Sequence, residues 1–169
     1  MPDALNTMGW IHLERGDLDT ARAFFDEALA CFAAQEKDAR ADLDSEDSLA
    51  ARHNIACTLR FMGRPEEAVQ QFRWLRPMSI EMNQLYHLIV LCEDYAAALA
   101  ETGALASAAR LIGGADQLRI RHALHRPQVQ ESELEPAISA LKAGLGEHDW
   151  AVNFAIGMTT PIDVLLSRA

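Results

Sequence analysis

The sequence predicts an all-α protein built from antiparallel helix hairpins that repeat along the chain. The chain is rich in alanine, and its 169 residues include only nine glycines and six prolines. Such a composition suits long helices joined by short turns. A break containing glycine recurs at Gly16, Gly63 and Gly103. Each break lies between two segments whose apolar residues share one helical face, which is the pattern of an amphipathic helix.

Three hairpins are predicted, at about residues 3–34, 50–79 and 83–123. Glycine after a first helix allows the left-handed backbone that stops it, and Pro65 suits the first turn of the next helix. The first hairpin has the apolar or small residues Leu5, Met8 and Gly9, with His12, before its break, and Leu18, Ala21, Phe25 and Ala28 after it. The second has Ile55, Ala56 and Leu59, then Ala68, Phe72 and Leu75. The third has Tyr95, Ala96 and Leu99, then Leu105, Ala108 and Ile112.

Residue size supports this pairing of helices. Small residues at matching positions let the two helices of a hairpin approach closely, and larger ones (Phe25, Phe72, Ile112) fill the space between successive hairpins. The pattern resembles the tetratricopeptide family over roughly residues 3–115. Leu5 and Arg52 stand where that family usually has tryptophan, and the third copy is degenerate. The resemblance implies a right-handed superhelix of tetratricopeptide-like hairpins that binds protein ligands.

The glycine breaks are 47 and 40 residues apart, whereas the usual period of such repeats is about 34. The helices or their connections must therefore be longer than usual. The acidic stretch EKDARADLDSED at 36–47 is the predicted insertion, either as a charged helix extension or as a surface loop.

The last third of the chain predicts further helices that cap the array within a single domain, 1–169. A helix is expected at about 105–123, and another from about 131 to Gly146. A third carries Trp150 and Phe154 and ends near Gly157. For the final helix, Thr160 is the expected N-cap residue, followed by Pro161.

This tail resembles the closing segment of bacterial LuxR-type and AfsR-type transcriptional regulators, which combine an ATPase module with tetratricopeptide repeats. The matching residues follow the family's order: Arg110–Ala115, Leu118, Arg119, Leu141, Leu145, Gly146, Trp150, Phe154, Gly157, Thr160 and Asp163. The resemblance implies the C-terminal sensor or scaffold arm of such a regulator. The sequence contains no Gly-x-x-x-x-Gly-Lys-Ser/Thr loop, so an ATP site of that kind is excluded.

The resemblance to tetratricopeptide repeats also implies a ligand groove lined by the first helix of each hairpin. The corresponding positions are Asn6, Trp10, Leu13, His53, Cys57, Arg60, Phe61, Val90, Glu93, Ala97 and Glu101. Trp10 and Phe61 are candidate anchors because aromatic residues dominate interface hot spots. Packing of Trp10 against a neighbouring helix is the alternative. Glu93 and Glu101 would repel an acidic tail, so a helical or basic apolar protein segment is the expected ligand.

Other functions are disfavoured. The net charge is −10, of which residues 1–50 contribute −8, so direct binding of nucleic acid is not expected. The basic residues of the cluster at 119–126 are interpreted as a solvated helix end and loop. His122 and His125 lack the further ligands of a metal site. Glu66 and Glu67 suit a helix start better than catalysis. The three cysteines, Cys31, Cys57 and Cys92, are expected to be reduced and buried.

The sequence therefore predicts a cytoplasmic binding protein that is not an enzyme and needs no cofactor or metal. Neither a membrane span nor a secretory signal is evident. Its partner is expected to be a protein or peptide. Two roles stay open: the arm of a transcriptional regulator, or a free-standing adaptor that homodimerises or bridges two proteins. A small-molecule pocket within the superhelix is a third, weaker alternative.

Overall fold

A computed structural model of the protein describes residues 2–39 and 46–169, without the side chains of residues 33, 35–39, 46 and 47. The described residues form helices joined by short connections, which confirms the predicted all-α repeat fold. The helices are α1 (Pro2–Glu14), α2 (Leu18–Ala39), α3 (Glu46–Phe61), α4 (Pro65–Met82), α5 (Leu85–Glu101), α6 (Leu105–Arg121), α7 (Gln128–Thr159) and α8 (Ile162–Arg168). The chain divides into two compact units, Met1–Met78 and Ser79–Ala169.

The three predicted glycine breaks are confirmed, and they share one geometry. Gly16, Gly63 and Gly103 all have positive φ, between 72° and 83°. In each turn the amide of the residue after the glycine donates to a carbonyl five residues back. These bonds join Asp17 to His12, Arg64 to Leu59 and Ala104 to Leu99, each at 2.9 Å. The third break thus repeats the helix stop of the first two, although its flanking sequence is degenerate.

The first unit is packed as the residue sizes predict. Phe25 and Phe72 are fully buried, as are the small residues Ala21, Ala56 and Ala68. Gly9 lies against the ring of Phe25, and a Cβ atom at Gly9 would come within 2.5 Å of that ring. Close approach of α1 and α2 therefore depends on the missing side chain.

The predicted acidic insertion, residues 36–47, includes the end of α2, the segment after it and the start of α3. The backbone of α2 extends as a helix to Ala39, and α3 begins at Glu46. Residues 40–45 lie outside the described residues, so the choice between a helix extension and a loop stays open for them.

In the second unit, α6 packs against α5, α7 and α8, and α5 also contacts α7. Its core includes Tyr95, Leu99 and Ile112. Part of the contact of α6 with α7 is made by backbone. A Cβ atom at Gly113 would lie 2.2 Å from the carbonyl oxygen of Phe154, and one at Gly157 would lie 2.0 Å from that of Arg110. Both glycines are therefore needed for this contact.

The predicted helix stop at Gly146 is confirmed, because the backbone within α7 is non-helical at that residue, with a φ of 76°, and the helix that carries Trp150 and Phe154 follows it. Two other predicted boundaries need correction. The helix predicted to reach residue 123 ends at Arg121. Thr160 was the expected N-cap of the last helix, but Pro161 holds that position without a side-chain hydrogen bond. The Thr160 hydroxyl instead donates to the carbonyl of Ile156, 2.7 Å away, because it lies close to the end of α7.

Candidate functional site

The first unit carries a candidate binding face on α1 and α3. The side chains of two asparagines join the helices: Asn54 Nδ2 donates to Asn6 Oδ1 at 3.0 Å, in a part-buried position. This bond sets Asn6 of α1 opposite Asn54 of α3. We refer to the surface that includes this pair and the side chains one or two turns further along each helix as the asparagine face.

Two large aromatic side chains of this face remain accessible. Trp10 follows Asn6 by one helical turn and is 44% exposed. Phe61 follows Asn54 by two turns and is 45% exposed. The guanidinium carbon of Arg60 lies 4.4 Å from the centre of the Phe61 ring, which is a cation–π contact. The face therefore combines hydrogen-bonding amides with exposed apolar rings.

The other groove residues predicted in this unit have buried side chains. Leu13, His53 and Cys57 are all buried, and the His53 ring meets the Phe72 ring edge to face at 5.5 Å. A ligand cannot contact these side chains without rearranging the core. The sequence pattern alone could not separate buried from exposed groove positions. A small rotation of a helix about its axis is enough to bury one of its residues and expose a neighbouring one.

In the second unit, the groove positions predicted on α5 also divide by burial. Glu101 is exposed and Val90 is half-buried, whereas Ala97 and Glu93 are buried. Glu93 was expected to repel acidic ligands from the groove. Because only 4% of it is exposed, its charge is not available to a ligand at the surface.

The Glu93 carboxylate is held by two arginines. Arg119 binds it with two nitrogens, Nε and Nη2, each at 2.8 Å. Arg126 Nη2 donates to the same carboxylate at 2.8 Å and to Asp116 Oδ1 at 2.6 Å. Gln130 joins the cluster by accepting from Arg119 Nη2 at 3.2 Å. We call these five residues the Glu93 cluster.

The Glu93 cluster corrects the interpretation of residues 119–126 as a solvated helix end and loop. Arg119 is 5% exposed and Arg126 is largely covered, while Arg121, His122 and His125 are exposed as predicted. Burial alone would lower the pKa of Arg126, but the hydrogen bond and charge of Glu93, reinforced by Asp116, raise it. The two arginines therefore fasten α5 to α6 and to the loop before α7.

The three cysteines are free thiols. Cys57 and Cys92 are buried as predicted, whereas Cys31 is only half-buried. Burial raises the pKa of the Cys92 thiol well above its ordinary value, and the adjacent charge of Glu93 raises it further. Among the described helices, none combines the length and apolar character that a membrane span requires.

The family described as tetratricopeptide repeat matches residues 3–33 and 48–73. These segments coincide with α1 and most of α2, and with α3 and the first half of α4. The two matched segments lie in the first unit and are close to the first two hairpins predicted from the sequence. No curated protein and no solved structure is detectably similar to the chain. The resemblance of residues 110–166 to bacterial regulators stays a prediction.

Proposed function

We propose that the chain is a protein–protein interaction module and that the asparagine face of its first unit binds a peptide segment of a partner protein. The observation that carries the proposal is the Asn6–Asn54 pair, which is followed by the exposed rings of Trp10, one turn along α1, and Phe61, two turns along α3. The two segments of the same unit that match the tetratricopeptide repeat family support it.

The chemistry of the asparagine face suits a polypeptide. The bond between the two amides uses one donor of Asn54 and the side-chain oxygen of Asn6, so it does not use the amide hydrogens of Asn6. These groups can bond the carbonyls of a peptide backbone without selecting its side chains. Selection would come from Trp10, and from Phe61 with the Arg60 guanidinium above it, since aromatic residues and arginine dominate the energetics of protein interfaces.

The ligand that fits best is a helical or basic apolar segment. An apolar side chain would bury the exposed part of Trp10 or Phe61. A basic residue is favoured because residues 1–50 carry a net charge of −8, which attracts cations to this unit. Of the two acids predicted to repel an acidic ligand, Glu93 is buried and Glu101 is exposed.

Peptides selected against the immobilised full chain from a displayed library would test this function. Replacing Trp10 and Arg60 by alanine should weaken the selected peptides at least tenfold, the usual cost of removing a hot-spot side chain. The matched control is Trp74→Ala with Arg73→Ala, which removes the same residue types from α4, where Trp74 is 45% exposed. Helicity by circular dichroism should be the same in both variants. Equal affinities in the two variants would exclude the asparagine face as the ligand site.

For the cellular role, we propose a cytoplasmic arm of a bacterial transcriptional regulator or signalling ATPase. The support is the ordered match of residues 110–166 to the closing segment of such regulators. An immunoblot of source-cell extract with an antibody to this chain would measure the native polypeptide. A band far above 18.7 kDa is expected. A band at that mass would instead favour a free-standing adaptor that homodimerises or bridges partners.

A further inference from the structure

A cleft in the second unit is lined by α6, the end of α7 and α8. It contains about 370 Å³ of empty space, including space that is open to solvent. Its apolar lining comes from Leu111, Ile156 and Leu165, and its polar side chains are those of Ser107, Arg110, Thr160 and Arg168. Among the described residues that line the cleft there is no aspartate or glutamate. The cleft therefore combines an apolar wall with two positive charges that come from different helices, and we call it the two-arginine cleft.

The Arg110 side chain is held at this cleft by a series of hydrogen bonds. Its Nε atom donates to Asn153 Oδ1 at 2.8 Å, and Asn153 Nδ2 donates to the carbonyl of Asp149, also at 2.8 Å. The backbone beside it is closely packed, since a Cβ atom at Gly157 would lie 2.0 Å from the Arg110 carbonyl oxygen. The bond to Asn153 uses only Nε, so it does not use the donors of the two Nη groups. A ligand in the cleft would therefore meet a guanidinium that is already oriented.

The positive charges of the cleft are not neutralised by the described part of the chain. Within residues 2–39 and 46–169, no carboxylate with a described position pairs with Arg110 or Arg168, and this includes the carboxylate of Ala169, which also lines the cleft. The Ser107 hydroxyl likewise bonds no described side chain or backbone group. Asp163, the one acid of α8, is five residues from Arg168 and hence about 140° away around the helix. An anion in the cleft would therefore meet two guanidinium groups and a hydroxyl donor.

We propose that the two-arginine cleft binds a small organic carboxylate that carries a short apolar chain. The carboxylate would accept from Arg110 and Arg168, because guanidinium groups bind carboxylates through charge-assisted hydrogen bonds. The Ser107 hydroxyl would add a further donor. The apolar chain would cover Ile156, which is 39% exposed, and lie against the buried side chains of the wall. Both the charge and the apolar wall are needed to define this ligand.

A small anion fits this cleft better than a long polyanion. Residues 79–169 contain eleven aspartates and glutamates against six lysines and arginines, a balance of −5. A nucleic acid or a strongly acidic protein segment would extend past the cleft and be repelled by the rest of the unit. A single carboxylate needs only the two arginines. The asparagine face belongs to α1 and α3 of the first unit, so the inference goes beyond the proposed function.

Titration of the full chain with hexanoate, followed by the NMR chemical shifts of its backbone amides, would test the inference. At low salt, Arg168→Gln should weaken hexanoate about fivefold, the upper end for an exposed ion pair, and the difference should shrink as salt screens the charges. Adding Arg110→Gln should bring the loss to at least tenfold. The matched control is Arg121→Gln, which also removes an exposed arginine from the last turn of a helix in the same unit and should leave the affinity within about twofold. Circular dichroism should show the same helicity in all variants, and Arg168→Gln alone alters only an exposed side chain.

Several outcomes would overturn the inference. Equal binding of hexanol would remove the role of charge, and inorganic phosphate bound as tightly as hexanoate would remove the role of the apolar wall. An equal loss in Arg121→Gln and Arg168→Gln would mean attraction to overall charge rather than to the cleft. A short peptide with a free C-terminal carboxylate that binds more tightly than hexanoate, with the same dependence on the two arginines, would assign the cleft to the C-terminus of a partner protein. Replacing Trp10 by alanine should not affect hexanoate, so failure here leaves the asparagine face untouched.

Discussion

Replacing Gly157 by alanine should destabilise the second unit, because the new methyl group would meet rigid backbone. Its Cβ atom would lie 2.0 Å from the carbonyl oxygen of Arg110 and 2.8 Å from the carbonyl carbon. Non-bonded carbon atoms prefer separations of about 3.5–4.0 Å. Removing the overlap requires α6 and α7 to move apart by roughly 1 Å or more, which loosens every contact between them.

The expected loss is about 2 kcal/mol. Overpacking of a well-packed interface costs about 1–3 kcal/mol and occasionally more. Because backbone cannot rotate away as a side chain can, we expect the cost of this overlap to be at or above the top of that range. Alanine recovers about 1 kcal/mol because it favours helix over glycine. For a unit of this size, a loss of about 2 kcal/mol lowers the melting temperature by roughly 10 °C.

Urea unfolding monitored by circular dichroism would measure the loss, with Gly144→Ala as the matched control. A Cβ atom at Gly144 would meet only Leu105 Cδ1, at 2.6 Å. That atom ends a flexible side chain that can rotate away, so the control should unfold near the wild-type midpoint. If Gly157→Ala unfolds at the same urea concentration as Gly144→Ala, the close backbone contact of α6 with α7 is not a source of stability.

Three further predictions concern the Glu93 cluster, Ala123 and the cysteines. Glu93→Gln leaves Arg119 buried without its carboxylate and should cost about 3 kcal/mol, so an unchanged urea midpoint would show that the pair is dispensable. Ala123 has a left-handed φ of 52°, and Ala123→Gly should stabilise the fold by about 1 kcal/mol by relieving that strain. A calorimetric melting temperature that does not rise would contradict it. In the folded protein, iodoacetamide should label Cys31 before Cys92 even at alkaline pH, because the pKa of the Cys92 thiol is raised and so less thiolate forms. Equal labelling of the two sites by mass spectrometry would be inconsistent with this.

The repeat fold could be predicted because its determinants are local. Gly16, Gly63 and Gly103 each stop a helix through their own backbone conformation, and no distant residue is needed for that. The burial of Phe25 and Phe72 could be predicted for the same reason, since helical spacing places them on one apolar face. The structure confirms both features, in the positive φ of the three glycines and the full burial of the two rings.

The Glu93 cluster could not be predicted, because its members are far apart in sequence. Glu93 is 26 residues from Arg119 and 33 from Arg126. A helical pattern predicts which face of a helix a residue lies on, but not which distant residues pack against that face. Glu93 was therefore interpreted as exposed, and the arginines as solvated. The error at Thr160 is similar. The Thr160 hydroxyl lies between the end of α7 and the start of α8. The sequence does not decide whether this hydroxyl bonds a carbonyl of the first helix or an amide of the second.

The order of helix contacts within each unit also bears on how fast the protein folds. In the first unit α1 packs on α2 and α2 on α3, and in the second α5 packs on α6 and α6 on α7. Contacts between neighbours in sequence close short loops, and domains dominated by them fold in microseconds to milliseconds. In the second unit a hairpin of α5 and α6 can form before the chain beyond it is in place. Arg119 can then meet Glu93 at once, whereas Arg126 reaches it only when the loop before α7 settles. The Arg119–Glu93 pair therefore needs only the α5–α6 hairpin, whereas the Arg126–Glu93 pair also needs the loop before α7.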